Sequence, residues 1–164
     1  MDRLWTPWRY AYLTKSGPAE PCIFCAKAAE KNDAENFMVH RGKLNFVILN
    51  RYPYNNGHLM VVPYVHVPTL EGVTEDVLAE MMGLVRQAEI NLRVMYRPDG
   101  FNIGMNIGAS AGAGVAGHIH MHVVPRWAGD ANFMSTIGET RILPEELSTT
   151  YEKLSRLTWG NWKE

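Results

Sequence analysis

Histidine alternates with an apolar side chain along Gly117-His118-Ile119-His120-Met121-His122-Val123-Val124-Pro125. On a β-strand successive side chains point to opposite faces, so residues two apart share a side. The pattern predicts a strand over 117–125. His118, His120 and His122 would line one face, roughly 6.6 Å apart, with Ile119, Met121 and Val123 pressed into a core on the other. Packing gives a strand no reason to carry three imidazoles, and half of the chain's six histidines fall in these five positions. Just before them runs Gly108-Ala-Ser-Ala-Gly-Ala-Gly-Val-Ala-Gly117. Glycines let backbone N–H groups converge on an anion without side-chain obstruction. The run is neither the G-x-G-x-x-G fingerprint nor a phosphate loop ending in Gly-Lys-Ser/Thr. A phosphate held there would face the imidazoles.

Two chemistries fit. In the first, a neutral imidazole, with an unperturbed pKa near 6.5, attacks phosphorus and forms a covalent phosphoramidate. In the second, two or three of the histidines bind zinc and a metal-activated water attacks, as in a zinc-dependent phosphohydrolase. Cys22 and Cys25 form a C-x-x-C pair, too close in sequence to be a long-range staple, and point to metal or redox chemistry. A closed tetrahedral site would need two more ligands, with His40, His58, His66 and one histidine of the row as candidates.

The elements that must position these groups follow from pattern. Residues 22–31 read as a short helix, and 37–40 and 44–49 as strands joined by a tight turn at Arg41-Gly42-Lys43. Residues 58–63 make a third strand after the turn-forming Pro53, Asn55, Asn56 and Gly57. Thr74 is placed to cap a long helix to Arg97, with Glu75 and Asp76 at its positive end. Val77, Leu78, Met81, Met82, Val85, Ala88, Leu92 and Met95 give that helix one buried face. Pro98-Asp99-Gly100 ends it, 101–106 is a fourth strand, and a last helix spans about 144–157. With no repeat or domain-sized linker, the expectation is one α+β domain over 22–164, preceded by an aromatic arm over 1–21 carrying Trp5, Trp8, Tyr10 and Tyr12.

At 164 residues and 46% hydrophobic, the chain is long enough for one full core. A formal net charge of −1 gives no overall pull toward nucleic acid or anionic lipid. No apolar run reaches the roughly 18 residues that span a bilayer. The first twelve residues lack the apolar core of a signal peptide, so a cytoplasmic protein is expected.

The run His118-Ile-His-Met-His122-Val-Val resembles the signature of the histidine triad superfamily, and the likeness extends along nearly the whole chain. It takes in Cys-Ile-Phe-Cys at 22–25, Leu49-Asn50-Arg51-Tyr-Pro53, Gly57-His58-Leu-Met-Val-Val-Pro63 and 102–108. Leu4-Trp5-Thr6-Pro7, Pro125-Arg126-Trp127 and Gly129-Asp130-Ala131-Asn132-Phe133 are similar to bacterial diadenosine tetraphosphate phosphorylases of that superfamily. The resemblance implies an antiparallel sheet with packed helices, paired into a homodimer. It implies cleavage of dinucleoside polyphosphates through a covalent histidine–AMP intermediate, with inorganic phosphate favoured over water as the acceptor and hydrolysis the alternative. His120 would be the nucleophile, and His122 would contact the phosphate and assist the departing group. Asn106 and the loop at Gly112, Ala113, Gly114 and Val115 would hold the α-phosphate, Asn50 the ribose, and Phe24 and Ile48 the base, with Trp127 a stacking candidate. Cys22, Cys25, His66 and His118 would bind a structural zinc, and no organic cofactor is expected. Gly114 departs from the many relatives with serine or threonine there, which leaves a non-catalytic nucleotide-binding module as a further alternative.

Overall fold

The computed structural model describes residues 21–138 and 143–160; of the aromatic arm expected over 1–21, residues 1–20 lie outside them. Five strands, β1 (Met38–Arg41), β2 (Asn45–Leu49), β3 (Leu59–Pro63), β4 (Gly100–Gly104) and β5 (Met121–Arg126), form one antiparallel sheet in the order β1-β2-β3-β5-β4. The helices are α1 (Ile23–Ala29), α2 (Asp33–Asn36), α3 (Glu75–Tyr96), α4 (Phe133–Thr136) and α5 (Leu147–Ser155). This is the expected α+β architecture.

Strand alternation divides the sheet's side chains between two cores. Val47, Leu49, Leu59, Val61 and Val123 meet Met81, Leu84, Val85, Ala88 and Leu92 of α3, and Leu154 and Trp159 close the end. Each fully buried aliphatic side chain here contributes about 1.5–3 kcal/mol. Phe46, Ile48, Met60 and Val62 point the other way and pack under Phe24 of α1. The helix stripe differs from expectation at Leu78, which is only half-buried and outside the core, and at Met82. Met82 is 54% exposed and Leu84 takes its place in the core, because Leu84 continues the three- and four-residue spacing from Met81 to Ala88. Arg97 ends α3 in the left-handed conformation, at φ 47°.

The β1–β2 turn is held from outside by Glu80 of α3. Its carboxylate accepts from the N–H groups of Lys43 and Leu44, both at 2.7 Å, and from Asn45 Nδ2 at 2.9 Å. Burial alone would raise the Glu80 pKa, but these bonds outweigh it and hold the group below its usual range.

Candidate active site

The expectation that the whole run 117–125 is strand is corrected: β5 begins only at Met121. The N–H of Ile119 bonds Val67 O at 2.9 Å instead of joining the ladder, so His118 and His120 sit in an irregular approach to the strand. The three rings are consequently not equivalent. His118 turns back toward α1, its Nε2–H donating to Pro63 O at 2.8 Å. His120 donates from Nδ1 to the carbonyl of His118 at 2.9 Å. That bond fixes the tautomer and leaves His120 Nε2 as a bare lone pair. His120 and His122 lie edge to face, 4.8 Å between ring centres.

A fourth histidine completes the arrangement. The N–H of Tyr54 donates to His58 Nδ1 at 3.1 Å, so His58 must carry its proton on Nε2. His58 Nε2 lies 2.9 Å from His122 Nδ1 and donates to it, leaving His122 with a proton on Nε2. Burial, reinforced by the neighbouring imidazoles, pushes His58 down to about 3. Burial and His120 push His122 down to about 4. Burial also lowers His120, partly offset by the bond to His118 O. All three are therefore neutral at physiological pH. The row pairs a bare ring nitrogen on His120 with a donor on His122.

Residues 31–129 match the HIT domain model. The chain is 43% identical over 162 residues to an AP-4-A phosphorylase of Mycobacterium tuberculosis, covering 94% of this chain and 83% of that protein. The chain belongs to the HIT domain family. Among solved structures, a zinc-bound histidine triad family protein from Mycobacterium smegmatis matches with TM-score 0.66 and 29% identity, over 82% of this chain and 90% of that one. A hypothetical histidine triad nucleotide-binding protein from Sulfolobus tokodaii matches with TM-score 0.64 and 30% identity, over 82% and 87% of the two chains.

In this HIT domain the four residues expected to bind metal do converge. The ligand atoms of Cys22, Cys25, His66 and His118 lie within 4.8 Å of one another and form a group that could hold a metal ion. Cys22 Sγ is 3.3 Å and Cys25 Sγ 3.6 Å from His118 Nδ1, and Cys25 Sγ is 3.3 Å from His66 Nδ1. Tetrahedral zinc with thiolate and imidazole ligands places such donors about 3.5 Å apart. The Pro63 carbonyl, the usual kind of second partner of a metal-binding histidine, accepts from His118 Nε2–H and so leaves Nδ1 bare toward the thiols. The donor set fits the group.

The HIT domain also gathers most of the expected nucleotide contacts. Phe24, on α1 between the two cysteines, packs its ring 5.5 Å from that of His118 and 5.0 Å from that of His120. Ile48 is buried beside it and Val115 packs on the same cluster. Asn50 follows β2 and accepts the N–H of Tyr52 at 2.9 Å. Asn106 Nδ2 donates to Gly112 O at 3.4 Å, tying the glycine loop to the end of β4. Gly112 has φ 88°, while Gly114 is exposed and not among the positive-φ glycines. The indole of Trp127 donates to Tyr96 O at 3.4 Å, at the end of α3. His58 is the group that sequence placed only among possible metal ligands. A histidine at the head of a third apolar strand, straight after a turn, was the available signal for it. A cleft of about 350 Å³ also opens beside His122, with Asn102, Asn106, Arg126 and Asp130 on its walls.

Proposed function

We propose that this chain cleaves dinucleoside polyphosphates of the diadenosine tetraphosphate type by nucleotidyl transfer through His120. The observation that carries the reading is the bond from His120 Nδ1 to His118 O, which presents the opposite nitrogen unprotonated. The 43% identity to an AP-4-A phosphorylase supports the substrate class. His120 Nε2 attacks the α-phosphorus, forming an N–P bond as the P–O bond to the remaining phosphates breaks. His122 Nε2–H donates a hydrogen bond to the departing oxygen, which leaves as the polyphosphate anion, so His122 keeps its proton throughout. In the second step inorganic phosphate attacks the histidine–AMP, and His120 Nε2 leaves with its lone pair restored. With diadenosine tetraphosphate the products are ATP and ADP. Asn106 and the backbone at Gly112, Ala113, Gly114 and Val115 hold the phosphate, Asn50 the ribose, and Phe24 and Ile48 the base, with Trp127 assigned to packing.

Cys22, Cys25, His66 and His118 would hold zinc, which when bound cross-links α1 to the approach of β5 and supplies structural stability. The reading includes a homodimer, favoured by the 43% exposed Ile103 on edge strand β4 and by exposed Met82, Ile90 and Val94 on α3. It takes residues 22–164 as one domain with 1–21 as an arm. The paired thiols suit the reducing cytoplasm; no described helix is long and apolar enough to cross a membrane.

Rapid-quench reaction with labelled diadenosine tetraphosphate is expected to trap label on the wild type and none on His120→Ala. Full activity in His120→Ala sinks the mechanism. ADP that forms only when inorganic phosphate is added identifies phosphorolysis; AMP in its place identifies hydrolysis.

A further inference from the structure

The cleft beside His122 lies on one flank of the histidine row, and the proposed base and ribose contacts lie on the other. Across the sheet, Ile48 of β2 pairs with Met60 of β3, Met60 with His122 of β5, and His122 with Gly104 of β4. Phe24, Ile48 and Asn50 are therefore on the β2 side of His122, and the cleft follows β4 and β5 away from them. His122, Val124 and Arg126 alternate along β5 and share a face, which puts Arg126 roughly 13 Å from His122. A short chain of phosphates spans that interval. Beside His122, a Cβ on Gly104 would meet nothing within 4 Å, so the near wall is open backbone.

The charge in this cleft is arranged unevenly. The Asp130 carboxylate accepts from Arg126 Nε and Nη2 at 2.6 and 2.8 Å, from Asn55 Nδ2 at 2.7 Å and from the Trp127 N–H at 3.1 Å. Asp130 is 12% exposed and Arg126 43% exposed. Both groups line the cleft, but the anion is largely covered and saturated with donors, whereas the paired cation is the more exposed of the two. Arg126 Nη1 also donates to Asn102 Oδ1 at 2.6 Å, which braces the guanidinium across the two strands. A braced, planar guanidinium is well matched to phosphate oxygens.

We propose that this cleft is the subsite for the departing polyphosphate end of the substrate, and that Arg126, held by Asp130 and Asn102, selects a long anionic leaving group over a short one. The proposal rests on the nucleotidyl-transfer reading, which puts the reacting phosphorus at His120. The adenylate lies toward Phe24 and the rest of the substrate runs toward Arg126.

Calorimetric titration with AMP and with a methylene-bridged, non-cleavable diadenosine tetraphosphate tests it. Wild type is expected to bind the bridged compound more tightly than AMP. Arg126→Ala is expected to narrow that gap by about tenfold or more, the worth of a charge-assisted hydrogen bond. Arg126→Gln removes the charge while keeping a donor toward Asp130, and is expected to narrow it likewise; Arg126→Lys is expected to narrow it less. A gap unchanged in both uncharged variants overturns the proposal. So does loss of AMP affinity in step with that for the bridged compound, which would make Arg126 a scaffold of the whole site. If the gap behaves as expected but no label is trapped on wild-type His120, the nucleotidyl-transfer reading fails and with it the leaving-group role, while polyphosphate recognition by Arg126 stands.

Discussion

His58 and His122 are joined by a single hydrogen bond, 2.9 Å from Nε2 to Nδ1, between two histidines 64 residues apart. The direction of that bond is set further back, by the Tyr54 N–H on His58 Nδ1. A backbone amide, which does not change its protonation, thereby determines which nitrogen of His122 holds the proton. In His58→Ala, His122 is free to adopt the other tautomer and loses its enforced donor. The rate of His120 adenylylation is expected to fall roughly 10²-fold, the usual worth of one preorganised donor aimed at developing negative charge. Single-turnover quench at saturating substrate measures it, and an unchanged rate would remove His58 from the reaction.

Acid should destabilise the fold through the same pair. Folding lowers the pKa of His58 to about 3 and of His122 to about 4, from an unfolded value near 6.5. Below pH 6.5 the unfolded chain binds protons that the native rings refuse. Their contribution is complete above the unfolded value and is lost as pH falls toward 4. Each ring costs about 2 kcal/mol of stability by pH 5. Urea unfolding midpoints at pH 5 and 7 report the loss, and equal midpoints would contradict the burial argument.

Removing one thiol tests the metal group. Cys22→Ser is expected to reduce bound zinc well below one per chain and to lower Tm by roughly 10 °C, corresponding to about 3 kcal/mol for a domain of this size. Elemental analysis and calorimetry provide the two readouts. Full zinc occupancy in Cys22→Ser would mean that the ion sits elsewhere.

The glycine loop gives two opposite expectations. Gly114 is exposed without positive φ, so Gly114→Ser fits the backbone and offers a phosphate ligand. Its kcat/KM is expected to rise about tenfold. Gly112→Ser must hold φ 88° with a Cβ, which costs about 1 kcal/mol and disturbs the carbonyl bonded by Asn106. Its kcat/KM should fall. A steady-state comparison of the two variants decides between these outcomes.

The contrast between His120 and His58 explains what could be read from sequence. His118, His120 and His122 declare themselves by alternation, because period-two spacing is a local property of the chain. Cys22 and Cys25 do so by their spacing, and the strands by apolar runs bounded with turn residues. The point where β5 starts was not legible, since it depends on the bond between Ile119 and Val67 and on the pull of His118 toward the thiols. His58 showed only its place at the head of the third strand; its bond to His122 is created by pairing β3 with β5, which is a long-range property of the fold. Arg126 and Asp130 were visible as a motif, but only folding shows which of the two faces outward.

His118 performs two tasks with different parts of itself. Its ring faces the sulfurs, while its main-chain oxygen orients the nucleophile. Exchanging the side chain erases the first task and leaves the second chemically intact, so alanine scanning at 118 would undercount what that position does. The missing half is accessible only to backbone editing, such as replacing the peptide link between residues 118 and 119 with an ester, which weakens the carbonyl as an acceptor while preserving every side chain.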